Sequence, residues 1–136
     1  MIPAALRRAI WERADRRCEY CLVHDDDGLL PHEPDHIVAR QHHGPTRSEN
    51  LALACFECNR FKGTNLSSVD PESGEVTLLF HPRNDRWEEH FRLEGAKIVP
   101  LTGKGRATAR LLQLNSDARL ADRDSLILQR RYPTRE

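Results

Sequence analysis

Two cysteine pairs, Cys18-Glu19-Tyr20-Cys21 and Cys55-Phe56-Glu57-Cys58, enclose a stretch carrying Asp35, His36 and Asn50, and Asn59 follows the last cysteine directly. Each C-x-x-C pair lets two thiolates converge within one tight turn, and a tetrahedral zinc ion needs two such turns. The spacing predicts a four-thiolate zinc site of Cys18, Cys21, Cys55 and Cys58 that ties two distant loops together without a histidine. Four unrelated buried cysteines, or a disulfide, are the alternative; the same short spacing occurring twice weighs against it. The enclosed residues are of another kind. A carboxylate (Asp35), an imidazole (His36) and an amide (Asn50) offer a metal ligand, a base and a loop brace, and Asn59 adds a second hard oxygen. An Asp-His pair alone is usually a solvated loop, and adjacent residues on a strand point to opposite faces. The pair gains weight because it lies in the loop that the zinc would close.

Several elements must position these residues. Residues 3 to about 16 read as a helix, with Pro3 in its first turn and Leu6, Ile10 and Ala14 on one face, delivering the chain to Cys18. Residues 25–34 are acidic and broken by Gly28, Pro31 and Pro34, so they read as a loop or hairpin. The run His36-Ile37-Val38-Ala39 predicts a strand, and residues 41–47 must turn. Ser48 suits the N-cap of a short helix over 49–54, partly extended. Residues 59–63 read as a helix closed by Gly63.

The second half changes character. Residues 70–74 predict a turn and 75–80 a strand. Trp87–Leu93 and Ala96–Leu101 predict a hairpin around Glu94-Gly95. Thr102 caps a helix to about Leu114, and Ser116 caps a last helix through Leu120, Ile127 and Leu128 to about Arg131. With no repeat and no linker, residues 1–136 read as one domain, divided into a 1–66 core and a 67–136 extension.

Composition sets limits. The 136 residues are 38% hydrophobic and 31% charged, a globular balance slightly poor in core material, so a metal staple is useful. Net charge is zero, which argues against a strongly basic coat but leaves a local basic surface open. No apolar run approaches the ~18 residues of a membrane span, and the N-terminus lacks the apolar region of a signal peptide. The expectation is a cytoplasmic protein without membrane contact, where reducing conditions favour thiolate–metal bonds over disulfides.

Residues 18–63, through Cys18-x-x-Cys21, Pro34-Asp35-His36-Ile37-Val38, Glu49-Asn50-Leu51 and Cys55-x-x-Cys58-Asn59-Arg60-Phe61-Lys62-Gly63, resemble the HNH endonuclease family. The stretch from Leu79 to Arg110 resembles the tail of one HNH subgroup. The resemblance implies an α+β fold: a β-β-α metal core with a four-Cys zinc site, an N-terminal helix, and a C-terminal hairpin plus helices. It implies a nuclease acting on DNA, double-stranded by expectation, with oligomeric state unknown. Carried over by position, it makes His36 the general base, Asp35 a ligand of a catalytic divalent ion, and Asn50 the brace of the base-bearing loop. Asn59 takes the third motif position, where many members have histidine and others asparagine, and would be the second ligand. That oxygen favours magnesium or manganese. Only two protein ligands leave positions for phosphate and water, and an imidazole with a pKa near ~6.5 is largely neutral at pH 7. A catalytically silent zinc-containing DNA-binding module is the alternative; an interaction protein using zinc only for folding is another.

The remaining polar residues carry weaker signals. His32, His42 and His43 read as solvated loop histidines, His81 and His90 as structural. Arg40, Arg60 and Lys62 can reach phosphates, although exposed surface roles fit each equally. Lys104, Arg106, Arg110, Arg119, Arg123, Arg130 and Arg131, interrupted by acids, read as a solvated helical face, with DNA steering as the sharper alternative.

Overall fold

Pro3 is extended, with φ −58° and ψ 148°, and leads into helix α1 (Ala4–Arg13). The structure, a computed structural model, describes residues 2–133. Ile10 of α1 is fully buried with Leu51 and Leu53, and Ile2, Leu6, Trp11 and Ala14 pack around them.

Strand β1 (Glu33–His36) pairs antiparallel with β2 (Leu51–Ala54), in the register Glu33↔Ala54 and His36↔Leu51. All four residues of β2 are buried. Alternation explains their division: Leu51 and Leu53 face α1, whereas Ala52 and Ala54 join the cluster built around the cysteines. Helix α2 (Phe56–Lys62) follows at once and ends at Gly63, whose φ of 54° is left-handed backbone that glycine adopts without a Cβ penalty. Hairpin and helix form the β-β-α unit, and the chain is α+β.

Two local expectations fail here. The strand expected over 36–39 runs over 33–36 instead. Beyond it, both backbone groups of Val38 bond to the Asn50 side chain, so they have no strand ladder to join. The helix expected after Ser48 is one 3-10 turn, Ser48–Asn50, followed by β2. Ser48 does not cap it; its Oγ accepts from Arg13 Nη1 at 2.7 Å.

After α2 comes a hairpin of β3 (Ser67–Val69) and β4 (Val76–Leu78), whose first strand is too short and polar to be expected from its residues. Asp70 organises its turn, accepting from Glu72 N and Ser73 Oγ while Arg106 binds both its oxygens at 2.9 Å. Arg106 holds this buried carboxyl well below its ordinary pKa. A short helix α3 (Trp87–His90) precedes the hairpin β5 (Phe91–Glu94) and β6 (Lys97–Pro100). Helices α4 (Gly103–Leu111) and α5 (Asp117–Leu128) are capped by Thr102 and Ser116, whose hydroxyls accept from Gly105 N and Arg119 N. Gly105 is required: a Cβ there would lie 2.3 Å from the His90 carbonyl oxygen.

Phe80, Phe91, Ile98, Leu112 and Leu114 pack in one cluster with Tyr20 and the four cysteines, so the extension supplies core to the metal-binding half. Helix α5 departs most from expectation. Leu128 is 86% exposed, while Arg119 and Arg123 are buried at 7% and 1%. Arg106, Arg119 and Arg123 therefore do not form a solvated face; each guanidinium spends its donors on groups inside the protein. Among the described residues no helix is long and apolar enough to cross a membrane.

Candidate metal centres

Cys18, Cys21, Cys55 and Cys58 are all buried, none is in a disulfide, and their sulfurs lie within 4.8 Å of one another. A tetrahedral ion with Zn–S bonds of ~2.3 Å places its sulfurs about 3.8 Å apart. Cys21 Sγ and Cys55 Sγ are 3.7 Å apart. The cluster is compatible with zinc in number, type and spacing of donors. Each pair is shaped by the same local device, a backbone N–H directed at the first sulfur: Cys21 N to Cys18 Sγ at 3.5 Å and Cys58 N to Cys55 Sγ at 3.4 Å. Burial pushes the Cys58 thiol up, and hydrogen bonding with Cys18 and Cys21 adds to this.

The extension grips both turns. Trp87 Nε1 donates to Tyr20 O at 3.0 Å, Tyr132 Oη to Cys21 O at 2.8 Å, and Arg83 pairs with Glu19. Arg119 Nη2 lies 3.1 Å from Cys58 Sγ.

Asp35 and His36 sit at the opposite, loop-facing end of the hairpin from the cysteines, both half-buried. Asp35 Oδ2 is buried and has no hydrogen-bond partner among the described residues. Burial raises the Asp35 pKa against the opposing pull of Lys62 and the His36 backbone amide. His36 Nε2 is 2.8 Å from Thr46 Oγ1, and no described residue bonds its Nδ1. Burial, reinforced by Arg40, lowers the His36 pKa below its ordinary value. Both effects favour the neutral imidazole.

Asn50 closes the segment between them. Its Oδ1 accepts from Val38 N at 2.9 Å, and its Nδ2 donates to Val38 O at 3.0 Å and Pro45 O at 2.9 Å. One buried carboxamide thus satisfies three backbone groups of an irregular loop that no strand could serve. Gly44 lies against this brace: a Cβ would fall 1.7 Å from the Val38 carbonyl oxygen and 2.9 Å from Asn50 Nδ2.

Residues 18–65 match the HNH endonuclease family. This segment is similar to an HNH domain, and it spans about a third of the chain. The family generally comprises nucleases; β3, α3, α4, α5 and both later hairpins lie outside the match. Comparison with curated proteins and with solved structures returns no match.

Within the matched segment, Asn59 is half-buried on α2, three residues before Lys62 and hence on a neighbouring part of one helical face. Lys62 is 2% exposed and its Nζ donates to Ile37 O at 3.0 Å, which turns that face toward the end of β1. A phosphate contact by Lys62 is excluded in this arrangement. His32 is not solvated either: it is fully buried, with Nε2 2.8 Å from Val23 O. His42, His43, Arg40 and Arg60 are exposed. His81 and His90 are structural, Nδ1 of the first accepting from Arg83 N and Asn84 N, that of the second bonded to Thr102 Oγ1.

Thr46, bonded to His36, and Arg119, against the cysteine sulfurs, are neighbours that the chain does not advertise. A threonine ten residues after the histidine carries no spacing signal, and an arginine among many charged residues carries none.

Proposed function

We propose that this chain is a metal-dependent HNH endonuclease that hydrolyses phosphodiester bonds of double-stranded DNA, with residues 67–136 as an extension of one domain. The observation that carries this reading is the buried, unpartnered Oδ2 of Asp35 beside His36, whose Nδ1 is bonded by no described residue. A buried carboxylate oxygen without a partner is costly unless a cation or donor completes it, and a hard divalent ion fits that need. Asp35 and Asn59 would hold magnesium or manganese, and Cys18, Cys21, Cys55 and Cys58 would hold a structural zinc. Such an ion would supply charge neutralisation on the phosphoryl oxygens and support for the leaving oxygen.

The protein's own residues do the rest. His36, neutral at pH 7, accepts a proton from the attacking water at Nδ1. Thr46 fixes the ring through Nε2, and Asn50 keeps the 38–45 loop closed so that the ring stays in place. Exposed Arg40 and Arg60 are suited to phosphate contacts that orient the duplex.

Plasmid nicking with magnesium, manganese or chelator, for wild type beside His36→Ala, tests the reading. Wild type should nick only with metal, and His36→Ala should lose roughly 10²–10⁴-fold. Equal cleavage by both would overturn the base assignment. DNA retention by wild type with no cleavage in any metal would favour a silent zinc-containing DNA-binding module.

A further inference from the structure

Helix α5 lies wholly outside the segment matched to the HNH family, yet it sends a cation into the cysteine cluster. Arg119 is 7% exposed, and its Nη2 approaches Cys58 Sγ at 3.1 Å and Cys55 Sγ at 3.6 Å. Its Nη1 donates to Leu112 O at 2.7 Å, so the planar fork is pinned from both sides. Arg123, one turn later and 1% exposed, serves the backbone instead, donating to Ala96 O at 2.7 Å and Leu114 O at 2.6 Å.

The chemistry of the cluster explains why one of these arginines faces sulfur. Four thiolates around a divalent zinc leave a net charge of about −2 in a site shielded from water, and buried charge is costly unless paired. The two cysteine-turn amides, at 3.5 and 3.4 Å, are neutral donors and bring no charge. A charged N–H donor is roughly twice as strong as a neutral one. We propose that Arg119 is the built-in counter-charge of the zinc site, a positioning residue outside the ligand shell whose N–H···S bonds fix the Cys55–Cys58 turn. Zinc retention thereby depends on the C-terminal helix. The proposal rests on zinc occupancy of the four cysteines and is independent of nuclease activity.

The test compares zinc transfer to a chromophoric chelator from wild type, Arg119→Met and Arg123→Met. Arg119→Met should lose zinc roughly 10–100-fold more readily, the usual effect of removing a partner of a metal ligand. Arg123→Met should lower thermal stability while zinc transfer stays near wild type. Cobalt substitution adds a signature that a merely structural role would not move. N–H···S bonds withdraw electron density from sulfur, so the sulfur-to-cobalt charge-transfer bands of Arg119→Met should shift to longer wavelength. If Arg119→Met does not fold, Arg119→Gln decides, since it keeps an N–H donor but loses the charge: displaced bands with faster zinc transfer support the proposal, and wild-type bands and transfer overturn it. Wild type that holds zinc while Arg119→Met matches it in transfer and spectrum overturns the proposal alone. Wild type purified without zinc overturns the four-cysteine reading together with it.

Discussion

The two candidate metal centres flank one short hairpin and are built on opposite plans. Past the Ala54 end lie four cysteines, none more than 3% exposed, with sulfurs facing one another and an arginine. At the Leu51 end lie Asp35 and His36, half-buried, with one carboxylate oxygen and one imidazole nitrogen that no described residue bonds. A closed shell stabilises the fold because every donor is satisfied inside it. An open one can do chemistry because it leaves positions for substrate and water. The hairpin itself is only four residues per strand, too little to stand alone, and α1 and the cysteine cluster pack against the two faces of β2.

If the plans differ in this way, damage to each end should separate stability from activity. The largest effect is expected from Cys55→Ser, which removes a ligand and the sulfur that Cys58 N approaches. Structural zinc contributes on the order of 10 kcal/mol of apparent binding free energy, so the variant should lose both zinc and cooperative unfolding. Metal content by mass spectrometry and a thermal melt check this; full zinc content would break the four-cysteine site.

His36→Ala should do the reverse. Its nicking rate should fall by roughly 10²–10⁴-fold, while melting temperature and zinc content stay at wild-type values. A variant that unfolds instead would mean that the imidazole is part of the scaffold, and the contrast between the two ends would collapse.

Asn50→Ala falls between these extremes. It strips partners from Val38 N, Val38 O and Pro45 O, at a cost of about 1–3 kcal/mol for each group that water does not reach. Denaturant midpoints should drop and cleavage should weaken, with zinc retained.

The smallest expected effect is in pH. Protonated His36 cannot accept a proton, so cleavage at fixed metal should decline as pH falls through the His36 pKa. Burial and Arg40 hold that pKa below the ordinary value, so the decline should lie below about pH 6.5. The same shift means that the unfolded chain binds the proton more readily, so this group's contribution to stability is also lost as pH falls through that range. A flat profile from about pH 5 to 8, with fold and metal intact, would remove His36 from the base role.

Much of this arrangement was legible in the chain. The cysteine pairs, the caps Thr102 and Ser116, the closure at Gly63 and the turn of the β5–β6 hairpin all rest on short-range chemistry that a sequence displays, although Trp87–His90, expected as strand, is helix α3. The misreadings share a cause. The strand expected over 36–39 moved upstream because a side chain twelve residues away captured Val38. Lys62, His32 and the α5 arginines looked solvated because charge and polarity suggest water, whereas each found a backbone carbonyl or sulfur within reach.

By itself the sequence determined which atoms are available: four soft sulfurs at fixed spacing, and a carboxylate, an imidazole and two carboxamides between and beside them. Covalent proximity sets those possibilities, because two cysteines three residues apart can share one ion in almost any fold. Only the tertiary structure decided which of the tail's many cations meets the sulfurs and which loop Asn50 closes. Helical and strand periodicity assign a residue to a face; packing alone assigns that face a partner.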